Sequence, residues 1–225
     1  GICHFPTFYQ AMDAAQHLVT LDPVAVELVD DTMIELARSI PIFQPTVEEA
    51  VRGNPAALLL VEFAEEDMAE NERRLRQLHE MMGDLGFSWD KGAAWRGGVV
   101  DAIDPGMQGR ISEWRKSGLN IMMSEKSEAK PVSFLEDCAV ELKDLAEYTD
   151  KLTAMFDRIG VKGTWYAHAS VGCLHVRPVL NMKIQDDVDK MRNIANETSS
   201  LVKKFKGSYS GEHGDGIARS ESVSY

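Results

Sequence analysis

Apolar positions along the chain recur with two different periods, and this alternation predicts short strands joined by amphipathic helices. The clearest strand pattern is the apolar run at 57–63, which is short enough for a strand buried on both faces of a sheet. Further strands are predicted at 24–29, 95–103, 132–140, 164–168 and 174–180. The last two flank the tight turn Ser170-Val171-Gly172, so they should form a hairpin.

Apolar residues three and four positions apart predict the helices. They cover 7–17, 31–38, 65–82, 104–116, 142–158 and 186–206. Thr46 and Glu49 have the spacing of a capping box, which predicts the start of a short helix that Gly53-Asn54-Pro55 ends. Gly83 should stop the helix at 65–82. We expect loops in the polar segment 117–131 and in the Gly-rich tail 208–220.

The order of these elements defines the expected fold class. Strands followed by helices that return the chain to the same sheet, with at least one hairpin, favour an α+β fold. We expect one domain over 1–225, a ferredoxin-like sandwich whose mostly antiparallel sheet is covered by helices. The pattern also permits a duplication of a strand–helix–strand unit.

Composition excludes several classes of protein. The net charge of -12 argues against nucleic-acid binding, because phosphate groups require a basic face. No apolar run approaches the roughly 20 residues of a transmembrane helix. Cys3, Cys138 and Cys173 are few and widely spaced, so we expect neither disulfides nor a cysteine zinc site. A cytoplasmic location fits best, and an anionic substrate would need a local basic pocket.

Histidines are concentrated near the end of the chain, where a metal site is one interpretation. His168 and His175 would lie on the two arms of the predicted hairpin, so the turn can bring both imidazoles to one face. Glu212 would then supply a third ligand, and this set suits zinc, iron or manganese with open positions for a substrate. The alternative is a pair of strand histidines satisfied by backbone hydrogen bonds.

Two arginines are candidates for binding a carboxylate. Arg177 follows His175 by two residues, so both side chains should leave the same face of an extended strand. Its guanidinium could hold a carboxylate beside the metal, or it could form an ordinary surface salt bridge. Arg115 and Lys116 have the same ambiguity, because they end a helix whose C-terminus attracts cations in any case.

The segment Gly-Glu-His-Gly-Asp-Gly at 211–216 is the second chemical signal. Its glycines free the backbone to direct the consecutive side chains of Glu212 and His213 into one pocket. A histidine beside a divalent cation is biased towards its neutral form, which a general base needs. A surface turn is the alternative, and the acidic residues argue against a phosphate-binding loop.

Together, the segments Tyr-Ala-His-Ala-Ser-Val-Gly-Cys-Leu-His-Val-Arg-Pro and Ser-Gly-Glu-His-Gly-Asp-Gly-Ile-Ala-Arg-Ser-Glu resemble the C-terminal substrate domain of FAD-linked oxidases. These belong to the vanillyl-alcohol-oxidase superfamily. The branch of glycolate oxidase, D-lactate dehydrogenase and D-2-hydroxyglutarate dehydrogenase is the most similar. A looser resemblance extends through 114–119 and 131–137, so it covers most of the chain.

The resemblance implies a role for each candidate residue. His168, His175 and Glu212 would bind a divalent metal, and His213 would act as the base. Arg115 would hold the substrate carboxylate. The D-2-hydroxyglutarate group has Asn in place of Arg177, which leaves the exact 2-hydroxy acid open and can add a second carboxylate partner.

The implied reaction oxidises a 2-hydroxy acid of the lactate, glycolate or 2-hydroxyglutarate type to the 2-oxo acid. The metal would chelate the substrate, and hydride would pass to FAD. The family carries an N-terminal FAD-binding domain with a Gly/Ser-rich pyrophosphate loop, and long bacterial members add an iron-sulfur region. We find no such loop in this sequence, so we expect a fragment that is inactive alone, from a protein that is cytoplasmic or peripheral to the inner membrane.

Two other functions remain compatible with the residues alone. A zinc hydrolase would use the open metal position to activate water and needs no flavin. A non-catalytic α+β module would bind a metabolite or a partner through a sheet edge and would fold without metal.

The missing pyrophosphate loop predicts how the chain behaves towards flavin. We expect the purified chain to be colourless and to bind added FAD weakly, because helix and loop amides that hold a pyrophosphate are not evident in the sequence. Visible absorption after incubation with FAD and gel filtration measures this. A yellow preparation with stoichiometric FAD would contradict it.

Overall fold

The computed structural model describes residues 1–89, 96–123, 127–217 and 219–222. Within these residues the strands are β1 Ile2–Phe5, β2 Ala25–Asp30, β3 Ala57–Glu62, β4 Gly98–Val100, β5 Lys130–Pro131, β6 Leu135–Ala139, β7 Gly163–His168 and β8 Cys173–Leu180. The helices are α1 Phe8–Leu18, α2 Asp31–Ser39, α3 Gln44–Ala50, α4 Met68–Asp84, α5 Pro105–Lys116, α6 Gly118–Met123, α7 Leu145–Ile159 and α8 Gln185–Lys204. In the described part of the chain, no helix combines the length and the apolar character that crossing a bilayer requires.

The strands pair antiparallel in one sheet with the order β4-β1-β3-β2-β7-β8-β5, and β6 also pairs with β8. The fold is therefore α+β with a mostly antiparallel sheet, as predicted. The first unit runs β1-α1-β2-β3-α4-β4, apart from helices inserted between β2 and β3, and its strand order is β4-β1-β3-β2. This is the order of a ferredoxin-like unit.

The second half of the chain repeats this arrangement. It runs β6-α7-β7-β8-α8, and a single bridge then joins Ser208 to Ala139 of β6. The order Ser208-β6-β8-β7 corresponds to that of the first unit, so the unit is duplicated. The two copies meet where β2 pairs with β7.

Helices cover the two faces of the sheet unequally. One face packs against α1, α4, α7 and α8 in a core that contains Leu28, Leu59 and Leu174 from the strands. The other face packs against α2, α3 and α5, but the strand residues in this second core belong to β1 to β4. The corresponding face of β7 and β8 carries polar side chains instead.

Several local predictions were wrong. The strand β1 was not predicted, because His4 interrupts its apolar pattern; this buried histidine binds the carbonyl of Ile2 at 2.9 Å and the backbone NH of Arg52 at 3.1 Å. Thr46 does not cap a helix, since it is buried inside α3, which begins at Gln44.

Three other boundaries also differ from the prediction. Helix α6 occupies part of the segment predicted as a loop at 117–131. Helix α4 continues through Gly83 to Asp84, and the left-handed backbone appears later, at Gly86. The strand predicted at 95–103 is the shorter β4, and its predicted first residue lies outside the described residues.

One buried carboxyl group joins the two units. Asp30 ends β2 and is 2% exposed. One of its oxygens accepts the backbone NH of Met33 at 2.8 Å and so caps α2, whereas the other accepts the backbone NH of Trp165 in β7 at 2.9 Å. Burial raises the pKa of Asp30 to about 7.

We expect Asp30→Ala to lower the free energy of unfolding by about 2–4 kcal/mol at pH 5, because it removes a helix cap and leaves a strand NH without its acceptor. The folded pKa of about 7 lies above the ordinary value of 3.8, so the contribution of this carboxyl declines as the pH rises between these two values. The loss should therefore be smaller at pH 8. Urea unfolding at both pH values measures it.

Asp104→Ala is the matched control, because Asp104 caps α5 through the backbone NH of Met107 at 2.7 Å and its side chain holds no strand among the residues that the structure describes. This substitution should lower the free energy of unfolding by about 1 kcal/mol. Equal losses in the two variants would show that the contact of Asp30 with β7 contributes nothing to stability.

Candidate functional site

Side chains from four neighbouring strands meet where the second core leaves the sheet uncovered, on the polar face of β7 and β8. We call this part the uncovered face. In the register of the strands, Glu27 of β2 lies opposite His168 of β7, and Tyr166 of β7 lies opposite His175 of β8. The imidazole centroids of His168 and His175 are 5.3 Å apart. Arg177 shares this face, whereas the intervening side chains of β8 lie in the core, as the two-residue spacing predicts.

The three side chains predicted to bind a metal converge. Oε1 of Glu212 lies 3.0 Å from Nε2 of His175 and 3.8 Å from Nε2 of His168. The three ligand atoms are within 4.8 Å of one another. Glu136, His175 and His213 form a second such group, but the oxygens of Glu136 are already engaged by His175 and Arg177. The first group is therefore the better candidate for a metal.

The other ring nitrogens of the two histidines contact carboxylates, not the backbone. Nδ1 of His168 donates to Glu27 at 2.9 Å, and Nδ1 of His175 donates to Glu136 at 3.1 Å. Burial opposes ionisation of Glu136, but hydrogen bonds from His175 and Arg177 outweigh it and lower its pKa to about 2. The interpretation as strand histidines satisfied by backbone hydrogen bonds is thus wrong.

A buried aspartate holds the loop that carries Glu212 and His213. One oxygen of Asp137 accepts the backbone NH groups of Glu212 at 2.7 Å and His213 at 2.6 Å, and the other binds the guanidinium of Arg219. Burial opposes ionisation of Asp137, but these hydrogen bonds outweigh it and lower its pKa. Asp137 has a φ of 58°, in the left-handed region, within an irregular stretch of β6.

This arrangement directs consecutive side chains into one cavity, as expected for a glycine-rich loop. Both Glu212 and His213 line it. The imidazole of His213 stacks on that of His175 with centroids 5.1 Å apart, and its Nε2 lies 3.1 Å from Oε1 of Glu212. Its side chain is 51% exposed, so a substrate can reach it.

The two candidate arginines also line the cavity, and each is already paired. Nη2 of Arg115 lies 2.6 Å from Glu27 and donates to the hydroxyl of Tyr166. The buried Nε of Arg115 has no hydrogen-bond partner in the described part of the chain. Nε of Arg177 donates to Glu136, in the cavity wall and not in a surface salt bridge.

These residues surround a cavity of about 270 Å³, large enough for a small organic acid. Sequence reasoning assigned no role to Glu27, Glu136, Asp137, Tyr166 or Arg219. Glu136 and Asp137 lie in the loosely similar segment 131–137, whereas Tyr166 and Arg219 lie within the two quoted motifs. Glu27 had no local signal, because it reaches the site only through the pairing of β2 with β7.

The chain is similar to several curated proteins over most of its length. It is 30% identical to D-2-hydroxyglutarate dehydrogenase of Pantoea ananatis over 217 residues, which is 95% of this chain and 21% of the relative. The protein of the same name from Escherichia coli K12 gives the same figures. The chain therefore spans about a fifth of the length of these relatives.

A solved structure supports the fold. The 4-ethylphenol oxidase of Gulosibacter chungangensis, in complex with isoeugenol, matches with a TM-score of 0.56 at 10% identity. The match covers 100% of this chain and 47% of the oxidase chain. The family model described as FAD linked oxidases, C-terminal domain, matches residues 1–225. With its duplicated α+β fold and the two motifs on one face of the sheet, this chain belongs to the family of FAD-linked oxidase C-terminal domains.

Proposed function

We propose that this chain is the substrate- and metal-binding domain of a flavin-dependent dehydrogenase or oxidase that converts a D-2-hydroxy acid to the 2-oxo acid. The observation that carries the proposal is the convergence of two imidazoles and a carboxylate beside an accessible histidine, in a cavity lined by two arginines. The relatives named D-2-hydroxyglutarate dehydrogenase support a D-2-hydroxy acid as the substrate class, and we propose that it is of the lactate, glycolate or 2-hydroxyglutarate type.

The residues fit a divalent metal. Nδ1 of each strand histidine donates to a glutamate, so in the neutral ring Nε2 carries a lone pair that faces the Glu212 carboxylate. A divalent cation between these lone pairs would be bound from both sides. Ligand atoms around a tetrahedral zinc ion are about 3.3 Å apart, for bonds of about 2.0 Å, and the separations from Glu212 are 3.0 and 3.8 Å. His168, His175 and Glu212 would hold zinc, manganese or iron.

Such an ion would polarise the substrate hydroxyl and lower its pKa. FAD, bound mainly by a separate domain, would accept the hydride. Residues of this chain would accept the substrate proton and orient the substrate. His213 lies beside the proposed metal with an exposed ring, where it would take the hydroxyl proton as hydride leaves the 2-carbon. The oxidation then balances, since the substrate loses one proton and one hydride.

Arg115 and Arg177 would orient the substrate. Their guanidinium groups lie in the cavity wall and supply the local basic pocket that an acidic chain needs to bind an anion. Of the two alternative functions, a zinc hydrolase would use the same metal site, and a non-catalytic module would have the same fold. Membership in a family of FAD-linked oxidases favours the redox reaction over both.

The metal site predicts that the chain binds about one zinc ion and that His175→Ala loses most of the affinity, because it removes one of three ligands. Titration calorimetry, or metal analysis after dialysis, measures the effect. His168→Ala should behave in the same way.

His79→Ala is the matched control, because His79 is an exposed histidine paired with Asp101 at 2.8 Å and is not among the residues that line the cavity. Its zinc affinity should equal that of the wild type. Full zinc affinity in His168→Ala and His175→Ala would remove the proposed site.

The proposed base predicts that His213→Ala, made in the intact enzyme that also contains the FAD-binding domain, lowers the rate of flavin reduction by about 10²–10⁴-fold near neutral pH. Both kcat and kcat/KM should fall together, because the proton transfer occurs only in the transition state. Single-turnover reduction, followed by loss of the flavin absorbance on mixing with D-lactate or D-2-hydroxyglutarate, isolates this step.

Zinc content is the control for this variant. His213→Ala should retain its zinc, since this histidine is not in the proposed ligand set. Reduction at the wild-type rate would show that another group takes the proton, and loss of zinc would identify His213 as a ligand.

A further inference from the structure

We infer that Glu27 and Glu136 are positioning residues, each of which orients one metal-binding histidine and holds one arginine. The metal-binding and carboxylate-binding parts of the site would then be built on two shared carboxylates. This inference rests on the proposed function, because it assigns roles relative to the metal and substrate proposed there.

The first group of three is His168, Glu27 and Arg115. Both oxygens of Glu27 lie within hydrogen-bond distance of Nδ1 of His168, at 3.0 and 2.9 Å. Oε2 also lies 2.6 Å from Nη2 of Arg115. The Glu27 side chain is 14% exposed, so water competes little for these contacts.

The second group of three is His175, Glu136 and Arg177, and it repeats the first on the other side of the cavity. Oε2 of Glu136 accepts from Nδ1 of His175 at 3.1 Å, and Oε1 accepts from Nε of Arg177. The carboxylate is again largely buried, with a side-chain exposure of 9%. The two glutamates come from β2 and β6, at opposite sides of the β7–β8 pair.

Each contact has a defined chemical consequence. A carboxylate can only accept hydrogen bonds, so it fixes the proton of a neutral imidazole on Nδ1 and leaves the lone pair of Nε2 for a metal. It also increases the electron density of the ring as a ligand. The same carboxylate prevents its arginine from moving away when no anion is bound. A substrate carboxylate would therefore meet a guanidinium placed at a fixed position relative to the metal.

The test compares two substitutions that break the same ion pair. Both Glu27→Gln and Arg115→Gln remove the Glu27–Arg115 pair, but only the first removes the charged partner of His168. We expect Glu27→Gln to weaken zinc binding by about 10-fold, the lower end of the effect of losing a partner of a ligand histidine. Arg115→Gln should leave zinc affinity within about 2-fold, because the contact with His168 remains.

The second pair of variants is Glu136→Gln and Arg177→Gln. We again expect the glutamate substitution to weaken zinc binding and the arginine substitution to leave it nearly unchanged.

Zinc affinity is measured by competition with a chromophoric chelator, and the absorption spectrum of the cobalt(II)-loaded chain reports the ligand field. Only the glutamate variants should change that spectrum. Glu49→Gln, which breaks the surface pair with Arg110, controls for the loss of a glutamate charge. Circular dichroism confirms that each variant is folded.

The outcomes separate this inference from the proposed function. A wild-type chain that binds no zinc would overturn the proposed metal site and the inference with it. Zinc binding by the wild type, together with equal affinities in the glutamate and arginine variants, would overturn the inference and leave the metal site standing. Selective weakening by the glutamate substitutions, with an altered cobalt spectrum, supports it.

Discussion

The register of the antiparallel strands determines whether this site exists. Side chains directly opposite each other on one face of a sheet are about 5 Å apart, and successive side chains alternate between the faces. The pairings Glu27 with His168 and Tyr166 with His175 place four polar side chains on the uncovered face. A slip of one residue between β2 and β7 would separate Glu27 from His168, and a slip between β7 and β8 would place His168 and His175 on opposite faces of the sheet.

Much of this arrangement was accessible from the sequence because it depends on local spacing. His168 and His175 lie on a hairpin with a short turn, and Gly172 adopts the positive φ of 67° that the turn needs. Glu212 and His213 are adjacent in a glycine-rich segment. The two glutamates that contact the histidines were not accessible, since pairing between distant strands brings them to the site. The strand β1 was missed for a different reason, because the buried His4 breaks its apolar pattern.

The loop that carries Glu212 and His213 depends on a feature that no periodicity reveals. Asp137 adopts a left-handed backbone conformation, which turns β6 so that Glu136 contacts His175 while the next side chain reaches the loop amides. Arg219 then neutralises Asp137 and also donates to the carbonyl of Gly214. A charged side chain buried in this way is stabilised only by such partners, so the loop and β6 hold each other in place.

The duplicated unit shows how loop length governs where chemistry can develop in this fold. In the first copy, the connection between its second and third strands, β2 and β3, contains α2 and α3, which help to close the face of the sheet with residues such as Ile34 and Val47. In the second copy the same connection is the short turn Ala169–Val171, and the face stays accessible. A doubled unit can therefore keep one copy as a rigid support and leave the face of the other open for chemistry, because the connection between the second and third strands of that copy is short.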